Sequence, residues 1–377
     1  MEHFSNVLHH PPVSLDRDLE ASSHAAEPSL ECSTDPVTVD EVEKAEQLLK
    51  NNRAPGFCKI TSEMLKAGGD NIIRWKKHII NEVWHSENLP EDWIRRIILP
   101  FWKRKGDKLV CSNHRGITLL SIPGKDFTYS VARVLLGRSL PAISCYRRPQ
   151  QVGFLPNRST IDQISSLRLI IEKTREFRKG RHLYIAFIDL KAAFDSVDHA
   201  SLWAILECIG VPDKILSLFK KLYGDSQSCV RIKGKLSEWF NINSAIRQEC
   251  VAAPDLFNCV VDHLMSRVCA QIPAVSFGNL HLADLEYADD TILLSNDIEK
   301  LTAALSVYDR ESRKLGLKVS WAKTKLMHVG EGPDPPSLNI DGNAVEFVDS
   351  FVYLGLTVTN NSDLNPKSRA DTHYRQM

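Results

Sequence analysis

The chain has 377 residues, 43% of them hydrophobic and 25% charged, with 47 basic and 47 acidic side chains and so no formal net charge. That length can bury a full core in more than one lobe. The charge balance offers no overall attraction to nucleic acid, so a nucleic-acid partner has to be argued from local patches. No run of 18 apolar residues marks a membrane-spanning helix. The N-terminal MEHFSNVLHHPP lacks the charged and apolar regions of a signal peptide. Nine cysteines without a CxxC pair indicate reduced thiols in an intracellular compartment. Cys259, His263 and Cys269 match no standard metal spacing and read as core residues of a helix.

Residues 1–37 are polar and aperiodic, which predicts a linker or disordered remnant. Thr38 and Glu41 form a capping-box pattern ahead of Val42 and Ala45, and NNRAPG then breaks the helix. Helices are expected over 61–67 and 71–87, completing a helical segment over 38–96. RRIILPFWKRKGDK (95–108) reads as a short apolar strand followed by a basic turn, either a phosphate contact or a solvated loop.

A helix over 162–177 carries Ile164, Leu167, Ile170 and Ile171 on one face. LYIAFIDL (183–190) is nearly continuous in apolar residues and predicts a strand buried on both faces, with Asp189 at its end. Helices at 199–209 and 213–222 lead to a hairpin in CVRIKG and EWFNIN, and a helix follows over 256–270. A hairpin is expected around Asp289-Asp290, and then a helix over 298–315. Strands are expected at LKVSW, KLMHV and FVYLGLTV, with Asp341-Gly342 as a hairpin turn. The order predicts an α+β domain, an antiparallel sheet with helices packed on one face.

Two readings compete for Asp289-Asp290 in LEYADDTILL. Hairpin turns favour Asn-Gly or Asp-Gly, so turn geometry explains an Asp-Asp pair poorly. An exposed loop tip is the ordinary alternative. Asp189 lies 100 residues earlier (289 − 189) at the end of a buried strand. Three acids converging at one place need a cation, and Mg²⁺ suits a few carboxylates with positions left for substrate phosphates. Two such ions can clamp an in-line phosphoryl displacement, in a polymerase or in a nuclease.

FIDLKAAFDSVDH (187–199) followed by YADD (287–290) resembles the palm of reverse transcriptases from LINE-type (non-LTR) retrotransposons. ILPFWKRKGDKLVCSNHRGITLLSIPGK (98–125) resembles the family's fingers, and QVGFLPNRSTIDQI (151–164) its next block. IRQECVAAPDLFN (246–258), LGLKVSWAKTK (315–325) and FVYLG (351–355) resemble the substrate-binding, lysine-containing and primer-holding segments, in the family's order. The resemblance implies a right-hand polymerase with fingers and palm over 97–358 and a thumb, truncated and largely missing, beginning at 359–377. It implies RNA-templated DNA synthesis from dNTPs on a DNA primer, and nuclear action. Asp189, Asp289 and Asp290 would bind two Mg²⁺ ions, with Mn²⁺ a possible substitute. Phe194 would exclude a 2′-hydroxyl, Arg115 and Lys103 would contact the triphosphate, and Gln248 would line the nucleotide pocket. Lys323 or Lys325 would protonate pyrophosphate, with Lys323 the chosen candidate, and Tyr353, Leu354 and Gly355 would hold the primer. Glu249 stands where the family has glycine, and a side chain there would oppose incoming phosphates. The alternative implied by that departure is an impaired, truncated copy that only binds nucleic acid.

Overall fold

The structure is a computed structural model. It describes residues 32–360 except 50, 52–61, 91–92, 94–95, 120–121, 178–181, 225–226, 243–245, 247–249, 278–279 and 333–336. The linker expected at 1–37 and the thumb start expected at 359–377 therefore fall largely outside the described residues.

The elements run in chain order as α1 (Val39–Gln47), α2 (Ser62–Ala67), α3 (Gly69–Ser86), β1 (Arg96–Trp102), β2 (His114–Leu119) and α4 (Ile122–Tyr146). Next come α5 (Thr160–Phe177), β3 (Leu183–Ile188), α6 (Ala193–Ser196), α7 (His199–Cys208) and α8 (Asp213–Tyr223). Strands β4 (Gln227–Ile232), β5 (Lys235–Leu236) and β6 (Phe240–Asn241) precede α9 (Ala253–Cys269). Then follow β7 (Val275–Phe277), β8 (Leu280–Leu282), β9 (Asp284–Tyr287), β10 (Asp290–Ser295) and α10 (Ile298–Lys314). The last strands are β11 (Lys325–Val329), β12 (Ser337–Ile340), β13 (Asn343–Glu346), β14 (Ser350–Tyr353) and β15 (Leu356–Thr359). The chain divides into two compact units, one built from residues up to 146 with 194–259, the other from 147–193 with 260 onward.

In the first unit the sheet order is β2-β1-β4-β5, with β6 also paired to β4. The expected capping box is formed: Thr38 Oγ1 accepts from Glu41 N, and Glu41 Oε2 accepts from Thr38 N at 2.9 Å. Arg138 of α4 completes this corner. It donates to both Glu41 oxygens at 2.8 and 2.9 Å and lies over the Trp84 ring. Helix α4 itself was not anticipated. Gly124, Gly137 and Pro141 interrupt its sequence, and Val131, Leu135 and Ile143 bury it regardless of propensity.

The second unit holds the sheet β11-β3-β10-β9, all antiparallel. Its central strand, β3, is the apolar run expected to be buried on both faces, and Leu183, Ile185, Ala186, Phe187 and Ile188 are all buried. By the two-residue period of a strand, Ile185 and Phe187 share one face with Ile292, Leu294, Met327 and Val329. These pack with Ile164, Leu167, Ile170 and Ile171 of α5 and with Tyr353 and Val358 of the β14–β15 hairpin. Thr291 faces the other way, and the Tyr308 hydroxyl of α10 reaches it at 3.5 Å.

Two expected strands differ. LKVSW forms no strand, only a bridge from Val319 to Leu190, because its polar backbone is used to grip the end of β3 instead. FVYLGLTV is not one strand but the β14–β15 hairpin. Leu354 and Gly355 sit at its turn with φ of 49° and 88°, the mirror-image conformation that a right-twisted hairpin demands.

Candidate active site

Asp189 follows the last residue of β3. The β3–β10 register pairs Ile188 with Thr291, so one step further places Asp189 opposite Asp290. Adjacent antiparallel strands hold such partners about 5 Å apart at Cα. Carboxylates 101 residues apart in sequence (290 − 189) are thus brought to one edge of one sheet by a single strand pairing. The Asp189 backbone is held on its other side: Ser320 N donates to Asp189 O at 2.7 Å, and Asp189 N donates to Thr324 Oγ1 at 3.4 Å.

The acidic hairpin corrects the expected Asp-Asp turn. Tyr287 pairs with Asp290, so the two turn residues are Ala288 and Asp289, and Asp290 opens β10. Ala288 has φ of 56°, a left-handed conformation that normally calls for glycine. The negative charge of Asp290 bears on Tyr353, and that of Asp289 on Tyr308. Burial comes first for both phenols and raises each above its ordinary range, and these charges add to it.

Lys323 places its ammonium 2.9 and 3.2 Å from the two oxygens of Asp189. A cation thus already sits against that carboxylate, and the donor set of hard carboxylate oxygens fits a Mg²⁺-type ion. Among the described residues no three His, Cys, Asp or Glu side chains are gathered tightly enough to cage a metal by themselves. Mg²⁺ commonly completes its coordination with water and substrate phosphate, so an open set of this kind suits it.

The remaining candidates are distributed as follows. Phe194 lies in the first unit, stacked on Phe257 with centroids 4.2 Å apart. Arg115 occupies β2 opposite Phe101, with only its backbone described. Lys103 is exposed just past β1, its backbone N–H donating to Asn113 O at 2.9 Å. Gln248 and Glu249 lie outside the described residues. The Tyr353 ring is core, 2% exposed and packed by Phe187; Val352 is the exposed side chain of FVYLG, and Leu354 at the turn packs partly against the core.

A buried polar layer beneath the acidic hairpin was missed. Arg148 pairs with Glu286 and, at 2.9 Å, with Asp284. Cys269 Sγ donates to Asp284 at 3.2 Å. Desolvation, with Asp284 beside it, pushes Glu286 well above the usual carboxylate range. Burial pushes Asp262 up to about 7, against the pull of Arg148. Arg148 faces three acids, with Arg147 also bearing on Asp262, and protonation relieves part of the excess charge. Gln151, fully buried, joins this layer to the hairpin through Glu286 and Ala288. Sequence offered one signal, the polar Glu286 and Asp284 inside an otherwise apolar strand.

Among the described residues no helix is long and apolar enough to cross a membrane. The family model described as "Reverse transcriptase (RNA-dependent DNA polymerase)" matches residues 103–358. The chain is 24% identical over 291 residues to a Xenopus laevis protein named "Transposon TX1 uncharacterized 149 kDa protein", covering 77% of this chain and 22% of that protein. It is 30% identical to a Pol polyprotein from the type-2 retrotransposable element R2DM of Drosophila melanogaster, covering 56% and 21%. It is 23% identical to the "RNA-directed DNA polymerase from mobile element jockey" of Drosophila funebris, covering 85% and 35%. The chain thus spans between a fifth and two fifths of the length of these relatives. A solved telomerase from Candida tropicalis shares the fold with a TM-score of 0.52 at 14% identity, over 77% of this chain and 59% of that one. With the strand-end Asp189, the acidic hairpin and the family match over 103–358 in hand, the chain belongs to the reverse transcriptase family, of the kind found in LINE-type retroelements.

Proposed function

We propose that this chain extends a DNA primer on an RNA template, transferring nucleotides from dNTPs to the primer 3′-hydroxyl. The observation that carries this reading is the register that sets Asp189 beside the Ala288-Asp289-Asp290 hairpin, with Lys323 on Asp189. Reverse transcriptases use divalent metal ions. Held by Asp189 and Asp289 with Asp290 beside them, two Mg²⁺ or Mn²⁺ ions would activate the 3′-hydroxyl and neutralise the departing pyrophosphate.

The protein's own groups take the other roles. Lys323 Nζ donates a proton to the leaving pyrophosphate oxygen. Arg115 binds the triphosphate, a task that suits a forked guanidinium, with Lys103 assisting. Gln248 lines the nucleotide pocket, and the Phe194 ring crowds a ribose 2′-hydroxyl. The Tyr353-Leu354-Gly355 segment presents its turn backbone to the primer. We assign 97–358 to fingers and palm, 38–96 to a helical lead-in and 359–377 to the start of the thumb.

A dideoxy-terminated primer annealed to an RNA template separates this reading from simple nucleic-acid binding. In the presence of divalent metal, the next complementary dNTP should make the protein–template–primer complex resistant to competitor, and the other three dNTPs should not. Asp289→Asn should bind the duplex but lose that selective stabilisation. Equal stability with all four dNTPs contradicts a polymerase site and leaves a nucleic-acid binder, the outcome anticipated from Glu249.

A further inference from the structure

The hairpin that carries Asp289 is strained and needs a holder. Ala288 adopts φ of 56° without being glycine, and among the described residues no regular strand flanks β9 on its outer side. The neighbour it does have is the short run 150–153. Gln151 bridges in parallel fashion to Glu286, Val152 N donates to Glu286 O at 3.1 Å, and Glu286 N donates to Gln150 O at 3.3 Å. Gln163 of α5 secures the same run, donating to Gln150 O at 3.0 Å and Glu286 O at 2.9 Å.

From that run the Gln151 side chain turns back to the hairpin tip. Its Oε1 accepts from Ala288 N at 2.8 Å and from Gly153 N at 2.9 Å. Its Nε2 donates to Ala288 O at 3.4 Å and to Glu286 Oε2 at 3.3 Å. One carboxamide therefore holds both backbone polar groups of the residue whose conformation aims Asp289. Only an amide offers acceptor and donors in that arrangement. Gly153 closes the clamp by proximity, because a Cβ there would stand 2.3 Å from Ala288 N and 2.9 Å from Ala288 Cα. Both collisions are with backbone, so a side chain at 153 has to move the hairpin.

We propose that Gln151 and Gly153 are positioning residues for the acidic hairpin: they hold Ala288 in its left-handed conformation and so fix the hairpin tip that carries Asp289, beside the strand end that carries Asp189. This rests on the reading of Asp189 and Asp289 as metal ligands, which a separate control tests. Neither residue touches substrate; both act through Ala288.

The test uses the full chain, with Gln151→Met as an isosteric loss of the amide and Gly153→Ala as an independent push from the other side. Two readouts distinguish positioning from general loss of stability. In metal-free protein, hydrogen–deuterium exchange over 285–291 should quicken at least tenfold in both variants, while the β3–β11 ladder keeps its protection. Mn²⁺ affinity, measured by electron paramagnetic resonance well below the melting temperature, should fall about tenfold in both. Asp289→Asn is the control for the ligand reading and should also weaken Mn²⁺ binding. If Asp289→Asn weakens Mn²⁺ binding but neither variant alters exchange at the hairpin or Mn²⁺ affinity, the clamp is overturned and the ligand reading stands. If Asp289→Asn leaves Mn²⁺ affinity unchanged, the ligand reading fails and the clamp's proposed purpose fails with it. Should Gln151→Met fold poorly, Gly153→Ala decides alone by the same two measurements.

Discussion

Lys323 Nζ lies 2.9 Å from Asp189 Oδ2, whereas Lys325, two residues on, pairs with Glu346 at 3.2 Å. Two lysines that are equivalent in the motif WAKTK are thereby assigned different neighbourhoods. The split follows from β11 beginning at Lys325: its next residue, Leu326, bridges to Phe347 and so brings Lys325 beside Glu346, while Lys323 remains in the turn before the strand.

Lys323→Ala should therefore lower the rate of nucleotide incorporation by about 10²-fold or more, the range of a lost general acid. Lys325→Ala should change it less than about threefold. The Lys323 pair is exposed and worth about 1 kcal/mol or less, so both variants should keep the wild-type melting temperature. Single-turnover incorporation rates decide the assignment. A larger loss for Lys325→Ala would reverse it.

Among the described residues the buried Tyr353 hydroxyl has no hydrogen-bond partner. Removing a buried polar group that is unpaired costs nothing and relieves desolvation. Tyr353→Phe should be neutral or stabilising by about 1 kcal/mol and should leave primer binding unchanged. Tyr353→Ala should cost about 3–5 kcal/mol through the cavity left against Phe187. Chemical denaturation of the two variants, beside a primer-affinity measurement, checks both statements. A primer-affinity loss in Tyr353→Phe would show that the hydroxyl, not the turn backbone, meets the primer.

Asp262 carries a pH dependence whose sign is fixed by its direction of shift. Burial raises its folded-state value to about 7 from an ordinary value of 3.8, so folding favours the protonated form. The stability this contributes is complete below about pH 4 and is lost as pH rises towards 7. Linkage sets its size at about 4 kcal/mol at most. Asp262→Asn mimics the neutral form and should be more stable than wild type at pH 8, with the difference shrinking towards pH 5. Paired denaturant titrations across that range give the answer, and a constant difference would rule the account out.

Phe194 stacks on Phe257 with planes 16° apart, which fixes the ring's orientation. Phe194→Val removes the ring and should raise ribonucleotide relative to deoxyribonucleotide incorporation by about 10–100-fold, the discrimination that one steric contact supplies. Competition between dGTP and GTP on one template measures it. An unchanged ratio would make Phe194 an ordinary core ring.

The parts of the site that were legible in sequence are those whose chemistry is local. Asp189 at the end of LYIAFIDL stood out because a charge closes an apolar run, and the capping box at Thr38 and Glu41 works within four residues. What could not be read depends on partners distant in sequence. Gln151 is an ordinary polar residue until the fold carries it beside Ala288, 137 residues away. Arg148, Asp284 and Glu286 likewise acquire meaning only when buried together. Helix α4 was hidden by its glycines and proline, and LKVSW has the composition of a strand but spends its backbone groups on Asp189 and Lys191. The turn at Ala288 was placed one residue too late, because alanine is an uncommon choice for a left-handed turn position.

Primer extension on an RNA template, with Mg²⁺ and dNTPs and with Asp289→Asn in parallel, tests the central claim most directly. The account predicts template-dependent products from the wild-type chain and none from the variant. Folded protein that binds template and primer but extends neither, or extension that survives Asp289→Asn, would contradict it.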